Sequence, residues 1–184
     1  LMALNKLKYN SLNLTPAANK AIGFDSDADA LEATLSGGAM VFIKKLTASD
    51  TSTLSFVNGS SDVVLDSTYK EYIFMFRDIH PASDGVFLTF QADTGTNTNY
   101  NQTITSTHFT AYHFEDGSSA AASYIKGGDQ AQGRSFKRAS QPIGNDRDQA
   151  ASGSLDLFDP SNTYRVKPYI VNTASIANAD VPIN

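Results

Sequence analysis

The stretch YKEYIFMFRDI, residues Tyr69–Ile79, predicts the centre of the fold. In a β-strand, successive side chains point to opposite faces. One face would carry three aromatic residues, Tyr72, Phe74 and Phe76. The other would carry the apolar residues Ile73, Met75 and Ile79, interrupted by Arg77. A strand with one face in water alternates apolar with polar residues, and this one does not. We therefore predict a central strand covered on both faces, with Tyr72, Ile73, Phe74, Met75 and Phe76 as the candidate subunit interface.

Composition narrows the possible partners. Only 18% of the 184 residues are charged, against roughly a quarter in a typical domain. The net charge of −5 argues against a nucleic-acid or anionic-membrane partner, because phosphate binding needs clustered Lys and Arg. The chain has no Cys, which excludes disulfides and thiolate metal sites. No apolar run reaches the roughly 18 residues of a membrane span, so we expect no membrane insertion.

The first 30 residues contain scattered apolar side chains and a break at Thr15-Pro16. We interpret 1–30 as an extended N-terminal arm, either a flexible terminus or a segment that lies along a neighbouring subunit. Residues 31–184 would form a single β-domain, a length that suits one core. Because Leu1 precedes Met2, and the end follows a loop-like stretch, we expect this to be part of a longer chain.

Short apolar runs separated by turn sequences predict the remaining strands. Asn58-Gly59 is a strong hairpin signal, Asp116-Gly117 is a second turn, and Asp159–Asn162 suits a type I turn. The predicted strands are Met40–Leu46, Thr53–Val57, Val63–Leu65, Val86–Gln91, His108–Glu115, Ala121–Ile125, Ser135–Ala139, Ser154–Phe158 and Tyr164–Val171. With no convincing helical period, this spacing indicates an all-β protein, an antiparallel β-sandwich or jelly roll.

The sequence offers no convincing catalytic or metal-binding pattern. His108 and His113 are five residues apart, and an odd spacing on a strand sends them to opposite faces. No serine lies in the G-x-S-x-G sequence typical of a hydrolase nucleophile, and no phosphate-binding glycine motif is present. Asp25, Asp27 and Asp29 alternate, but the EF-hand positions for Gly and Glu are Ala30 and Ser36, so that calcium loop does not fit. We predict no enzyme activity and no cofactor.

Two groups of residues suit binding. Gly127–Asp148 carries planar cationic groups among Gln, Asn and Asp side chains, which can recognise sugars or pair with acids of another subunit. Exposed tyrosines could supply stacking platforms for glycans, although tyrosine on a strand is often half-buried with its hydroxyl at the rim. The candidate glycan or partner contacts are Tyr100, Tyr124, Arg134, Lys137, Arg138 and Arg147.

One resemblance goes further than these patterns. LSFVNGSSDVVLDSTYKEYIFMFRDIHPASDG, residues Leu54–Gly85, resembles a family of virion structural proteins of tailed phages that infect marine bacteria, including cyanophages and pelagiphages. The segments TNYNQTIT, HFTAYHFED, GDQAQG, GNDRDQAASGSLDLFDPS and YRVKPYI follow in the same order. The resemblance covers about Leu4–Val171, and Tyr69–Pro81 is its most specific part.

The resemblance implies a non-enzymatic virion protein that decorates the capsid or belongs to the tail or fibre apparatus. It implies contacts with other virion proteins and with further copies of the chain, as a homotrimer or higher symmetric oligomer. A carbohydrate-binding module of a tail fibre, which recognises a glycan on the host surface, is the alternative. A polysaccharide hydrolase is a third hypothesis, for which paired carboxylates in one groove would be needed.

Overall fold

A computed structural model describes residues 21–24, 31–34, 40–95, 97–177 and 182–183. The described residues are nearly all strand and loop, and every strand pairing is antiparallel, which confirms the all-β prediction. The sandwich or jelly-roll arrangement stays a prediction. The chain divides into two compact units, residues 1–44 and 45–184.

The first unit contains one described pair of strands, β1 (Ala21–Phe24) and β2 (Leu31–Thr34), in register from Ala21↔Thr34 to Phe24↔Leu31. The boundary expected between residues 30 and 31 lies between these two paired strands. The rest of the predicted arm, 1–20 and 25–30, lies outside the described residues.

The second unit is built on a six-stranded sheet with the order β3-β10-β11-β12-β6-β7, and two shorter pairs, β4-β9 and β5-β8, complete it. Its strands are β3 (Glu71–Ile79), β4 (Thr89–Phe90), β5 (Ile104–Ser106), β6 (Phe109–His113), β7 (Ala120–Tyr124), β8 (Gln130–Gly133), β9 (Lys137–Arg138), β10 (Ala151–Phe158), β11 (Tyr169–Ile176) and β12 (Pro182–Ile183). A short 3-10 helix, Lys126–Gly128, leads from β7 into β8.

The strand β3 forms where it was predicted, but it is not central. It pairs only with β10, and among the described residues no strand pairs with its other edge. The reason is long-range: β10 and β11 pair along almost their whole length and occupy the interior positions of the sheet. Ile73 and Met75, on the second face of β3, are therefore exposed instead of being enclosed.

One face of the β3-β10-β11 sheet carries the core. Rows of cross-strand neighbours run across it, of which Phe74–Leu155–Val171 is one. Phe56 packs its ring against Phe74 with centroids 5.4 Å apart, and Phe90 of β4 packs against Tyr169 at 5.1 Å. Aromatic pairs in such edge-to-face arrangements stabilise a core beyond their buried area. The loop around residue 56 and the β4-β9 pair therefore cover this face.

A bulge ends the regular part of β3. Phe76 pairs with Gly153 and Ile79 with Ala151, so Arg77 and Asp78 together oppose Ser152 alone. Asp78 has a φ of +52°, and its backbone N–H donates to the Ser152 hydroxyl at 3.1 Å. Such a bulge bends an edge strand and interrupts its pairing.

Three predicted strands are wrong. Met40–Leu46 forms no strand, because its backbone finds no pairing partner among the described residues. Asn58-Gly59 does turn the chain, with Gly59 at a φ of +77°, but Thr53–Val57 and Val63–Leu65 make no ladder. Ser61 and Asp62 also adopt positive φ, which widens the turn beyond a two-residue hairpin. The Asn58 side chain accepts the Leu65 N–H at 2.8 Å in place of a ladder bond.

Candidate interaction surfaces

The residues predicted as a subunit interface divide between the two faces of β3. Tyr72 is buried at 4% exposure and donates its hydroxyl to the Asp66 carbonyl at 2.9 Å, while Phe74 and Phe76 are half-buried. Ile73 and Met75 are 42% and 57% exposed. Only these two apolar side chains of the predicted set are available to a partner on the outer face.

On the outer face of this sheet, an acid separates the apolar side chains of neighbouring strands. Ile73 lies beside Asp156 of β10, which lies beside Ile170 of β11, itself 52% exposed. Glu71 and Arg77 are exposed at the two ends of the outer row of β3. The row therefore reads acid, two apolar residues, base, along a strand whose edge is free among the described residues.

A second surface is a shallow polar depression of about 390 Å³ between β7 and β9 in the chain. We call this surface the polar depression. Its lining residues all lie between positions 127 and 138: Gly127, Gly128, Asp129, Gln130, Ala131, Gly133, Ser135, Phe136 and Arg138. Phe136 is half-exposed, and the Arg138 guanidinium stacks over the Phe87 ring at 3.9 Å, a contact that orients its charge. The depression thus combines an aromatic ring with planar polar groups.

Hydrogen-bond acceptors are left over in this depression. Asp129 accepts the Tyr124 hydroxyl proton through one carboxylate oxygen, and that bond raises the pKa of Tyr124. The other oxygen, Oδ1, is buried and has no hydrogen-bond partner within the described part of the chain. Gln130 donates through Nε2 to the Ser135 carbonyl at 2.8 Å, while its Oε1 is likewise buried and unpaired. Buried unpaired oxygens are costly and favour a donor that reaches them after a small movement.

Lys137 is buried next to the depression and binds one of its lining residues, Gly128. It is 4% exposed, and its ammonium donates to the Gly128 carbonyl at 2.5 Å. Burial lowers the pKa of Lys137, and the nearby Asp129 carboxylate partly offsets that effect. Lys137 was predicted as a partner contact, but its ammonium group is buried and hydrogen-bonded within the protein.

His108 connects Lys137 to the next segment. Its Nδ1 lies 3.4 Å from the Lys137 ammonium and its Nε2 lies 2.9 Å from the Gln141 amide. Burial lowers the pKa of His108, and the positive charges of Lys137 and Arg138 lower it further. Gly128 must be glycine here, because a Cβ would lie 2.6 Å from the His108 ring nitrogen.

The other predicted contacts lie apart from the depression. Tyr100 is half-buried and donates its hydroxyl to Ser55 at 3.1 Å. Arg134 and Arg147 are exposed, and neither lines the depression. Of the predicted contacts, the structure brings together Tyr124, Lys137 and Arg138. Sequence reasoning missed Asp129, Gln130 and Phe136 as individual contacts; the segment GDQAQG was the available signal for the first two.

Within the described residues, no group of three or more His, Cys, Asp or Glu side chains is arranged to hold a metal ion. Among those residues there is also no helix long and apolar enough to cross a membrane. Comparison with known proteins finds no matching family model, no similar curated protein and no similar solved structure. Function is therefore inferred from the surfaces of the molecule itself.

Proposed function

We propose that this chain is a non-enzymatic structural protein of a tailed-phage virion, a surface β-module of the capsid or of the tail or fibre apparatus. The observation that carries the proposal is the exposed apolar row on β3, where Ile73 and Met75 face water on a strand with a free edge among the described residues. Exposed apolar side chains on an edge strand are an aggregation hazard unless they have a partner. A virion subunit has such partners by construction.

Exposed apolar side chains extend beyond β3. Tyr164 and Val166, in the loop that joins β10 to β11, are 97% and 87% exposed. Phe109 on β6 is 69% exposed and packs its ring against Tyr124, itself half-exposed, at 5.3 Å. Single exposed apolar residues are ordinary. Here they recur on two strands and on the loop of a third region, which suits a module with several neighbours in an assembly.

The second unit has few fully buried apolar side chains among its described residues. The buried apolar residues of the described chain are Val63, Tyr72, Ile104, Ala139, Ile143, Ala151, Leu155 and Ala177, of which three are alanine. Burial of apolar area is the main favourable term in folding. A module with a small core gains stability when neighbouring subunits cover its outer face. This supports partners that include other virion proteins and further copies of the chain.

The test is the composition of purified phage particles. After density-gradient purification, the chain should co-sediment with particles and appear by mass spectrometry in a fixed copy number per particle. Labelled antibody or a particle reconstruction would then distinguish capsid from tail. Detection of the chain only as free protein in infected cells would refute the proposal.

A second candidate function is carbohydrate binding by a tail-fibre module, and the polar depression favours it. Phe136 offers a ring face to the C–H groups of a sugar, and Asp129, Gln130 and Arg138 offer planar polar groups to its hydroxyls. Binding sites commonly combine an apolar wall with a few polar groups that orient the ligand.

A glycan array probed with the full chain tests this second function. Phe136→Ala should abolish any signal without unfolding the protein, because Phe136 is half-exposed. Tyr164→Ala is the matched control, since it removes an exposed ring that does not line the depression. Equal loss of signal in both variants, or no binding to any host-type glycan, would exclude the depression as a glycan site.

A further inference from the structure

The edge of β3 with which no described strand pairs carries a charge pattern that complements itself. The segment reads Glu71, Tyr72, Ile73, Phe74, Met75, Phe76, Arg77. When two copies of it run antiparallel about a two-fold axis at Phe74, each Glu71 faces the Arg77 of the second copy. The same operation places Ile73 opposite Met75. Charged and apolar residues thus meet their complements in one register only.

We propose that β3 pairs antiparallel with β3 of a second copy of this chain, about a two-fold axis at Phe74. A two-fold interface uses the same patch on both subunits and must be complementary to itself. The β3 edge meets this requirement because its ends carry opposite charges. The proposal names the partner for the surface on which the proposed function depends, and it can be tested without phage particles.

The regular part of the β3 backbone is centred close to the axis that the charges select. β3 begins at Glu71, and its regular pairing with β10 continues to Phe76 before the bulge formed by Arg77 and Asp78. A bulge interrupts a ladder, so an added strand can follow β3 only up to that point. The regular stretch 71–76 has its midpoint between Ile73 and Phe74, within half a residue of the axis that the charges select. Arg77, the first residue of the bulge, is the last residue that the second copy has to reach.

The side chains on the outer face agree with this register. Glu71, Ile73, Met75 and Arg77 are all exposed and share one face of the strand. Across the axis they form two oppositely charged pairs that enclose two Ile–Met pairs. Directly opposed cross-strand residues are the pairs that stabilise or destabilise a sheet. A shift by two residues would place Ile73 opposite itself and leave the charges unmatched.

Charged residues on an edge strand often prevent pairing, so the arrangement of the charges matters. Like charges at the two ends of β3 would repel a second copy in antiparallel register. Opposite charges at equal distances from the centre attract it. Glu71 and Arg77 have no ion-pair partner within the described part of the chain. Both remain available to the second copy.

Sedimentation equilibrium of the full chain tests the pairing. The protein should form a dimer at micromolar concentrations. Arg77→Glu places two acids opposite each other at both ends and should weaken dimerisation by about tenfold or more. The double variant Glu71→Arg with Arg77→Glu restores opposite charges and should recover the affinity to within about threefold. Lys126→Glu, an equal charge change on an exposed side chain away from β3, should have no effect.

Cysteine cross-linking tests the register, with no background because the chain has no Cys. A mixture of Ile73→Cys and Met75→Cys chains should form an intermolecular disulfide under mild oxidation. Either chain alone should form much less, because its cysteines would lie on a diagonal of about 7–8 Å. Efficient cross-linking of Ile73→Cys with itself would refute the axis at Phe74.

The outcomes separate this inference from the proposed function. A monomeric wild-type chain at tens of micromolar, or failure of the double variant to recover dimerisation, would overturn the pairing. If the same chain is nevertheless a fixed component of phage particles, the proposed function stands. A charge-dependent dimer that is absent from particles would retain the pairing and refute the function.

Discussion

Gly153 is the position where one added methyl group should have the clearest effect on stability. It lies in β10 between Phe76 of β3 and Thr173 of β11. A Cβ at Gly153 would lie 2.0 Å from the Asn172 carbonyl oxygen and 2.7 Å from the Thr173 Cα. Both are backbone atoms of the neighbouring strand, so no rotation of a side chain relieves the overlap.

The magnitude follows from the separation that must be gained. Ordinary van der Waals contact begins at 3.4 Å, so β10 and β11 would have to move apart locally by more than an ångström. Overpacking in a core costs about 1–3 kcal/mol, and each ladder hydrogen bond weakened by the shift costs about 1 kcal/mol. Alanine in place of glycine also lowers the conformational entropy of the unfolded chain, which offsets roughly 0.5–1 kcal/mol of this loss. We therefore expect Gly153→Ala to lower the free energy of unfolding by about 1–3 kcal/mol.

Urea unfolding followed by circular dichroism measures this change, and thermal unfolding should show a midpoint lower by about 3–10 °C. Gly127→Ala is the control, because a Cβ at Gly127 has no atom within 4 Å. It should change the free energy of unfolding by less than about 0.5 kcal/mol. If Gly153→Ala is as stable as Gly127→Ala, the close approach of β10 and β11 described above is incorrect.

Three further substitutions test local features. The pKa of His108 is lowered in the folded protein, so the unfolded chain binds the proton first as pH falls below roughly 6.5. The wild type should therefore lose stability between pH 6.5 and about pH 5. In His108→Gln, the urea midpoints measured at these two pH values should differ less than in the wild type. Asp93 accepts the Tyr100 backbone N–H at 2.8 Å, and Asp93→Ala should speed limited proteolysis between residues 93 and 102 while the far-ultraviolet spectrum stays unchanged; equal cleavage rates would contradict this. Tyr72→Phe removes the hydrogen bond to the Asp66 carbonyl and should cost about 1 kcal/mol in urea unfolding; no change would mean that water replaces the hydroxyl.

Strand β6 illustrates what a local pattern can predict. In the predicted strand His108–Glu115, a period of two puts Thr110 and Tyr112 on one face and Phe109 and Ala111 on the other. In the structure Thr110 is buried and Tyr112 half-buried, while Phe109 and Ala111 are exposed. The prediction is confirmed because the two-residue period is a property of the strand itself. Gly117 at a φ of +73° confirms the turn after it for a similarly local reason.

The polar depression was only partly predictable. Its segment stood out as rich in Gly, Gln and Asp, and Tyr124 and Arg138 were named as contacts. Nothing local indicated that Lys137 would be buried, since lysine is mostly exposed in proteins. Its burial depends on the Gly128 carbonyl, nine residues earlier, and on His108, 29 residues earlier. Such partners are chosen by the fold and not by neighbouring residues.

The sequence by itself determined that this is an antiparallel β-protein, where its apolar alternation lies, and which glycines turn the chain, because these follow from the period of the backbone and from allowed values of φ. Only the tertiary structure decided that, among the described residues, β3 lies at an edge, Met40–Leu46 joins no strand pair and Phe56 covers Phe74. Strand neighbours are selected by competition among distant segments for backbone hydrogen bonds and apolar contacts. A period of two, however regular, shows which side chains share a face but not which strand lies beside them.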